Sequence, residues 1–227
     1  MTRLLIKNSR CHYLIIMFAL VITFVMLIKI EHLEALNALR LLFAGSGFSK
    51  MFLAFAFVIC MVLLQYLNMD SIMLLLRNNS LLIIRQKNHD KLLLMLFKNI
   101  IILNLIFITL IIISFLFALL ICNRQIVEVM ELELLELSMR GFVVCLCFSM
   151  IQIYLAMKYD ESNVFMMMTL VSVIGIFISK VNLGIFTIFL IQLSPSMLGL
   201  NITVCSIYIC IGVMICKRTY DKLDKIR

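Results

Sequence analysis

The chain has 227 residues, of which 64% are hydrophobic and 14% charged, whereas an average soluble domain has roughly 45–50% apolar and 25% charged residues. A water-soluble globule is excluded, because the surface of a domain of this size is too large a fraction of the whole to hide so many apolar side chains. The net charge of +8 indicates attraction to anionic lipid and requires no nucleic acid partner.

Six apolar stretches have close to the ~20 residues that a helix needs to cross the hydrocarbon core of a bilayer. They lie at about 13–29, 51–68, 99–122, 142–158, 164–180 and 201–217. Seven glycines, a single proline and the lack of period-two alternation favour long helices over a membrane barrel. The sequence therefore predicts an all-α membrane protein with six transmembrane helices in a single transmembrane domain, residues 1–227.

The first apolar stretch follows Arg3, Lys7 and Arg10, as the apolar part of a secretory signal peptide would. A cleaved leader is therefore the alternative for this stretch. Because no small-residue cleavage site comes after it, we interpret it as a retained first span.

The distribution of Lys and Arg predicts the orientation of the spans. Fourteen of the 20 fall on one side of the membrane: those of the N-terminal tail, of the 69–98 loop and of the tail from Lys217, together with Lys158. The other six fall on the opposite side. By the positive-inside rule, both termini are predicted to be cytoplasmic in a multi-pass protein of the plasma membrane. We interpret the basic C-terminal cluster as an anchor to lipid headgroups, and a partner site is the alternative.

The first predicted external loop, 30–50, has the pattern of a short amphipathic helix that ends at Gly45-Ser46-Gly47. These glycines lack the GxxxxGK[ST] spacing of a phosphate-binding loop, and no other stretch supplies one. The chain is therefore not expected to hydrolyse ATP itself. The eight cysteines form no CxxC pair, and neither a metal site nor a cofactor is predicted.

A basic segment lies between the second and third predicted spans. Its polar block runs from Arg85 to Lys91, with apolar residues on both sides. A helix lying at the membrane surface would bury those flanks and expose the block to the cytosol. The block is the predicted contact for a soluble partner, and the alternative is a solvated loop whose charges only set the topology. The predicted contact residues are Arg85, Lys87, Asn88, His89, Asp90 and Lys91.

The second external loop, 123–140, carries four glutamates and is predicted to form an acidic helix on the outer surface. Its end, around Glu136 and Arg140, invites comparison with CAAX-type intramembrane proteases, whose motif pairs two adjacent glutamates with an arginine. Leu135 stands where the first glutamate would be, and the later histidines are absent. This enzyme class is disfavoured, because the motif supplies no second acid or base to activate water.

Residues 159–163 are predicted to form a tight cytoplasmic turn, which makes the fourth and fifth spans antiparallel neighbours. The apolar run after the turn is too long for one span, which predicts a partly inserted element before the last span. The polar groups within the spans are uncharged, which argues against an ion-coupled transporter. Hydrogen bonds between helices are the expected role of these polar groups. They include Gln65, Asn104, Thr109, Ser114, Gln152 and Ser172.

This layout resembles the membrane subunits of type-two ABC transporters, the six-span permeases of bacterial peptide, lantibiotic and drug exporters. The resemblance covers essentially the whole chain and rests on the cytoplasmic termini, the segment Arg77 to Lys98, the turn at 159–163 and the broken run at 181–199. It implies a permease-like fold with a cytoplasmic coupling helix and short extracellular helices. It also implies that Arg85 to Lys91 dock into a separate cytoplasmic ABC ATPase, and that two permease chains, identical or paralogous, pair around a shared pathway.

The expected function is ATP-driven transport of a hydrophobic or amphipathic substrate such as an antimicrobial peptide. The 17 Met and 17 Phe residues offer adaptable apolar contacts for such a cargo, although core packing accounts for any single one of them. An alternative of a different class is a non-transporting membrane protein, such as an immunity factor or scaffold.

Overall fold

The described part of the protein is a bundle of long α-helices, which confirms the predicted all-α class. The computed structural model describes residues 10–29, 37–39, 51–77, 89–122, 131–180, 207 and 209–218. These residues are almost entirely helical. The five long helices among them are α1 (Arg10–Lys29), α2 (Met51–Arg77), α3 (His89–Ile121), α4 (Glu131–Ala156) and α5 (Glu161–Lys180).

Four of these helices are long and apolar enough to cross a membrane. Their apolar parts are His12–Lys29, Ala56–Met73, Leu94–Ile121 and Leu134–Ala156. The described apolar part of α5, Glu161–Ile174, is shorter than a span, and the sixth predicted span is described only at 207 and 209–218. The structure therefore supports a membrane protein, while the six-span arrangement stays a prediction.

The bundle exposes large apolar side chains on its outside. On α1, Leu14, Ile15 and Phe18 are each more than half exposed, and Leu105 and Phe117 are similarly exposed on α3. A soluble protein would not present such continuous apolar surface to water, whereas lipid solvates it without cost. The exterior of the described helices is thus the surface expected of a protein embedded in a bilayer.

Aromatic pairs hold the helices together inside. Helix α1 packs most extensively on α3, where the rings of Phe24 and Phe115 meet edge to face at 5.3 Å between centroids. Phe57 of α2 and Phe148 of α4 meet in the same way at 6.0 Å. Edge-to-face pairs contribute about 0.5–1.5 kcal/mol beyond their buried area. This contribution persists in lipid, where apolar burial between helices gives little.

Helices α2, α3 and α4 each extend well beyond one end of their predicted spans. Helix α2 continues past the predicted end at residue 68 to Arg77, with Ile72 and Met73 buried. Residues 69–77 contain neither Gly nor Pro, so no residue favours an end of the helix there.

Helix α4 begins at Glu131 and runs through Gly141, so from residue 131 the predicted acidic surface helix and the fourth span are one helix. A single glycine costs a helix only about 1 kcal/mol, which the apolar residues after it outweigh.

A tight turn joins α4 to α5, as the sequence predicts, and it lies at 157–160. The amides of Lys158 and Tyr159 both donate to the carbonyl of Leu155 at 2.9 Å, which closes α4. The amide of Val164 donates to the carbonyl of Asp160 at 2.9 Å, which opens α5. The two helices contact each other, and the short turn makes them antiparallel neighbours.

The predicted external helix at 30–50 is described only at residues 37–39, which are helical, with Ala38 and Leu39 buried. The broken run predicted at 181–199 and the basic C-terminal tail beyond Arg218 lie outside the described residues.

The helical segment 209–218 packs closely on α4 through a glycine. A Cβ atom at Gly212 would lie 3.3 Å from the Cβ of Met150. That distance is tighter than ordinary van der Waals contact, and the Cβ of Met150 is fixed to its own backbone. A small residue at this position lets the two helices approach, as is common between helices in membranes.

We predict that Gly212→Leu separates segment 209–218 from α4 and destabilises the bundle by about 1–3 kcal/mol, the usual cost of overpacking. Reversible unfolding in mixed micelles, followed by far-UV circular dichroism, measures the loss. Ile211→Leu is the matched control, since Ile211 is 43% exposed. Equal stability of the two variants would contradict the close packing.

Candidate functional site

A cluster of uncharged polar side chains lies inside the bundle, where α2, α3 and α4 meet. Its members are each at most 1% exposed. This polar cluster consists of Gln65 and Asn68 of α2, Asn104 of α3, and Ser149 and Gln152 of α4. Buried polar groups in an apolar medium cost free energy unless they are hydrogen-bonded, so their partners decide what the cluster does.

Ser149 is the centre of the polar cluster. The carboxamide of Asn68 donates to its hydroxyl oxygen at 2.8 Å, and that of Asn104 donates to the same oxygen at 3.0 Å. The Ser149 hydroxyl in turn donates to the carbonyl of Cys145 at 2.7 Å, one turn earlier in α4. One hydroxyl therefore accepts two hydrogen bonds and donates one, which joins three helices at a single point.

Gln152 forms a second link between α2 and α4. Its side-chain amide donates to the backbone carbonyl of Gln65 at 3.0 Å and lies 3.5 Å from the sulfur of Met69. The bond to a backbone carbonyl fixes α2 against α4 without using the side chain of Gln65.

Several buried atoms of α2 lack a hydrogen-bond partner in the described structure. They are both polar atoms of the Gln65 carboxamide, the carbonyl oxygen of the Asn68 side chain and the hydroxyl of Ser71. Gln65, Asn68 and Ser71 are three residues apart along the chain, which places them on one face of α2. This face retains unused capacity to donate and accept hydrogen bonds.

A charged pair lies within the apolar stretch of α4. Arg140 is 3% exposed and donates a hydrogen bond from Nη2 to the carboxylate of Glu136, one turn earlier in the helix and one-third exposed. An arginine stays charged in a protein, so it requires this partner when buried. From residue 131 the predicted external segment is part of α4, so Arg140 lies within the stretch Leu134–Ala156 that is long and apolar enough to cross a membrane. The external side of this segment stays a prediction.

Three of the six residues of the predicted partner contact lie at the start of α3. His89, Asp90 and Lys91 form the first turn of this helix, and only their backbone is described. The other three, Arg85, Lys87 and Asn88, lie outside the described residues. From His89 onward the predicted surface helix is continuous with the third span. No Gly or Pro interrupts residues 89–121, so the helix has no reason to break near Lys98.

Lys158 is exposed in the turn after α4. It donates a hydrogen bond to the Tyr154 hydroxyl, which raises the pKa of Lys158, and its ammonium lies 4.5 Å from the centre of the Tyr154 ring. The lysine therefore keeps its charge at the end of α4, next to the position where anionic headgroups are expected.

Part of the polar cluster is predictable from the sequence. Hydrogen bonding between helices, predicted for six polar groups, is confirmed for Asn104 and Gln152 and for Ser114, which donates to the carbonyl of Met17 at 3.3 Å. It is wrong for Thr109 and Ser172, whose hydroxyls donate to carbonyls of their own helices, and the Gln65 carboxamide has no partner within the described structure. Asn68 and Ser149 were missed. The spacing of Gln65, Asn68 and Ser71 on one helical face was the signal that could have found the first of them.

Among the described residues, no group of three His, Cys, Asp or Glu side chains is placed to hold a metal ion. Comparisons with protein-family models, with curated proteins and with solved structures gave no significant match for this chain. Any function must therefore be inferred from the residues and contacts described above.

We predict that Ser149→Ala destabilises the bundle by about 1–2 kcal/mol, because it leaves the carboxamides of Asn68 and Asn104 without their common acceptor. Unfolding in mixed micelles measures the difference. Ser172→Ala is the matched control: Ser172 is equally buried but its hydroxyl bonds only to the carbonyl of Met168 in its own helix. If both variants lost the same stability, Ser149 would not be joining the helices.

We also predict that Glu136→Gln destabilises the protein by about 1–3 kcal/mol, because a buried Arg140 loses its counter-charge. The loss is below the ~3–5 kcal/mol typical of fully buried pairs, since Glu136 is partly exposed. The double variant Glu136→Gln, Arg140→Met should recover most of the lost stability in the same unfolding measurement. A double variant no more stable than Glu136→Gln alone would contradict the pairing.

Proposed function

We propose that this chain is the transmembrane permease subunit of an ATP-driven ABC transporter, powered by a separate ATPase that binds the segment Arg85 to Lys91. The proposed cargo is hydrophobic or amphipathic, such as an antimicrobial peptide, and the proposed location is the plasma membrane with both termini in the cytoplasm. The observation that carries the proposal is the continuity of α3 over 33 residues.

Helix α3 joins the proposed partner contact to the polar cluster. Asn104 follows His89 by fifteen residues in one unbroken helix, a distance of about 22 Å at 1.5 Å per residue. A force applied to the first turn of α3 is therefore transmitted along the helix to Asn104. The bonds that it would break there are neutral hydrogen bonds, each contributing about 0.6–2 kcal/mol in a membrane. Rearranging them is within reach of ATP-driven movement.

The chemistry of the polar cluster favours an external source of energy. Its five members are amides and a hydroxyl, none of which changes charge in the physiological range. Transporters that couple to ions or protons usually place ionisable groups near the middle of the membrane. Glu136 and Arg140, the charged pair of α4, neutralise each other near the beginning of the apolar stretch.

The burial of the polar cluster supports a pathway between two chains. Since every member is at most 1% exposed, a single chain offers no open route through the cluster in this conformation. A second copy or a paralogue would supply the other wall of the pathway. The same burial favours the second candidate, a membrane scaffold or immunity factor that binds a partner without transporting anything.

Co-purification separates these two candidates. We expect the tagged chain to bring down a nucleotide-hydrolysing subunit from its native membrane. Reversing the charges of Arg85, Lys87 and Lys91 to Glu is expected to reduce its recovery at least tenfold, since about 1.4 kcal/mol of lost contact energy is sufficient. Membrane insertion of the chain should be unchanged.

The matched control reverses Lys222, Lys225 and Arg227, three basic residues on the same predicted face, and should leave recovery of the ATPase intact. Recovery of the chain alone would contradict the permease proposal and favour the scaffold. Equal loss with both triple variants would show that only the total charge matters, which would contradict the proposed docking segment.

A further inference from the structure

The face of α2 that carries Gln65, Asn68 and Ser71 has the chemistry of a ligand site. Four polar atoms of this face have no hydrogen-bond partner within the described structure, and the three side chains are at most 3% exposed. We propose that this face binds the backbone amide of a hydrophobic peptide segment. The inference rests on the proposed permease function and deepens it by naming the group of the cargo that is recognised.

The unpartnered atoms match an amide in number and type. The Gln65 carboxamide presents a donor and an acceptor side by side, and a residue of an extended peptide presents the complementary pair, since its own N–H and C=O point to the same side of the chain. The open carbonyl oxygen of Asn68, one turn further along, accepts a hydrogen bond from the next amide. A ligand with a charge finds no counter-charge in the polar cluster, so an uncharged ligand is favoured.

The surroundings of this face favour an apolar ligand around the amide. Met61, Leu64 and Ile72 of α2 are buried next to the polar residues, in a core that also contains Phe107 of α3. The polar atoms of this face thus lie in a core that is otherwise apolar, which favours a ligand with apolar groups around its amide. A peptide with hydrophobic side chains on both sides of the recognised amide fits these apolar surroundings.

Gln65 is held in place through its backbone carbonyl. Gln152 bonds to the backbone carbonyl of Gln65, so the position of this residue in the bundle does not depend on its own carboxamide. An unpartnered carboxamide in an apolar core costs several kcal/mol. A methionine would fill the same space without that cost, so a ligand that completes these bonds accounts for the glutamine.

Movement of α3 provides the means to open the site. The carboxamides of Asn104 and Asn68 meet at the Ser149 hydroxyl. Displacement of α3 breaks the hydrogen bond from Asn104 to Ser149 and so separates α3 from the polar cluster that contains Gln65. The site is closed in the conformation described and becomes accessible whenever this junction separates, which neutral hydrogen bonds of about 0.6–2 kcal/mol each allow by thermal motion alone, without ATP.

The test uses the purified full-length chain in lipid nanodiscs, without ATP or ATPase, and N-acetyl-trileucine amide as the probe. We expect a saturating concentration of the probe to raise the Tm of the native chain by at least about 4 °C. An analogue with esters in place of its backbone amides, which removes the donors and preserves the shape, should give less than half this shift. Gln65→Met should abolish the shift, whereas Thr109→Val, on the exposed side of α3, should keep it.

Gln65→Met should also melt cooperatively at or above the native Tm in the absence of the probe, because it removes two unpartnered atoms. Ser71→Ala is the second variant if Gln65→Met does not fold, and it should at least halve the shift. No shift with the native chain, an equal shift with the ester analogue, or a shift that survives both substitutions would overturn the proposal and leave water as the occupant. Since no ATPase is present, these results are independent of the co-purification that tests the permease function.

Discussion

The hydrogen bonds that Ser149 accepts from Asn68 and Asn104 are the contact on which the arrangement of the bundle depends. In lipid, apolar side chains gain little by packing against one another instead of against acyl chains, so apolar burial does not select partners among the helices. Polar groups do select partners, because each one left unpaired in hydrocarbon costs several kcal/mol. A single hydroxyl that serves carboxamides from two other helices therefore determines which faces of α2, α3 and α4 meet.

The continuity of α3 connects this local contact to the proposed mechanism. The helix carries Asn104 in the cluster and His89 in its first turn, and no residue between them favours a break. A partner bound at the start of α3 would act on the junction of three helices through a rigid rod. The bonds at that junction are strong enough to define one resting state and weak enough to be exchanged for another. Such balance is what a permease subunit requires of its core.

The sequence predicted the helical class and the approximate positions of the spans, because runs of ~20 apolar residues have few alternatives in a bilayer. It predicted the ends poorly. Charged residues such as Asp70 and Arg140 indicate loops in the sequence, yet α2 and α4 continue through them. Residues 69–77 contain neither Gly nor Pro, and the single Gly141 after Arg140 costs too little to end α4. The polar cluster was predictable one helix at a time, from Gln65, Asn104 and Gln152. The meeting of Asn68 and Asn104 at Ser149 depends on how three helices rotate against one another, which no periodicity encodes.

One unbroken helix connects His89 to Lys91, the described end of the predicted contact, with the polar cluster, and hydrogen exchange of the purified chain in nanodiscs tests this connection most directly. Peptides covering residues 92–104 should exchange as slowly at Lys98 to Ile101 as at Leu103 and Asn104, with protection fading only toward His89. Rapid exchange confined to Lys98 to Ile101 would reveal a joint between a separate surface helix and the third span. In that case a partner at the start of α3 would have no rigid connection to Ser149, and α3 could not transmit force to the cluster.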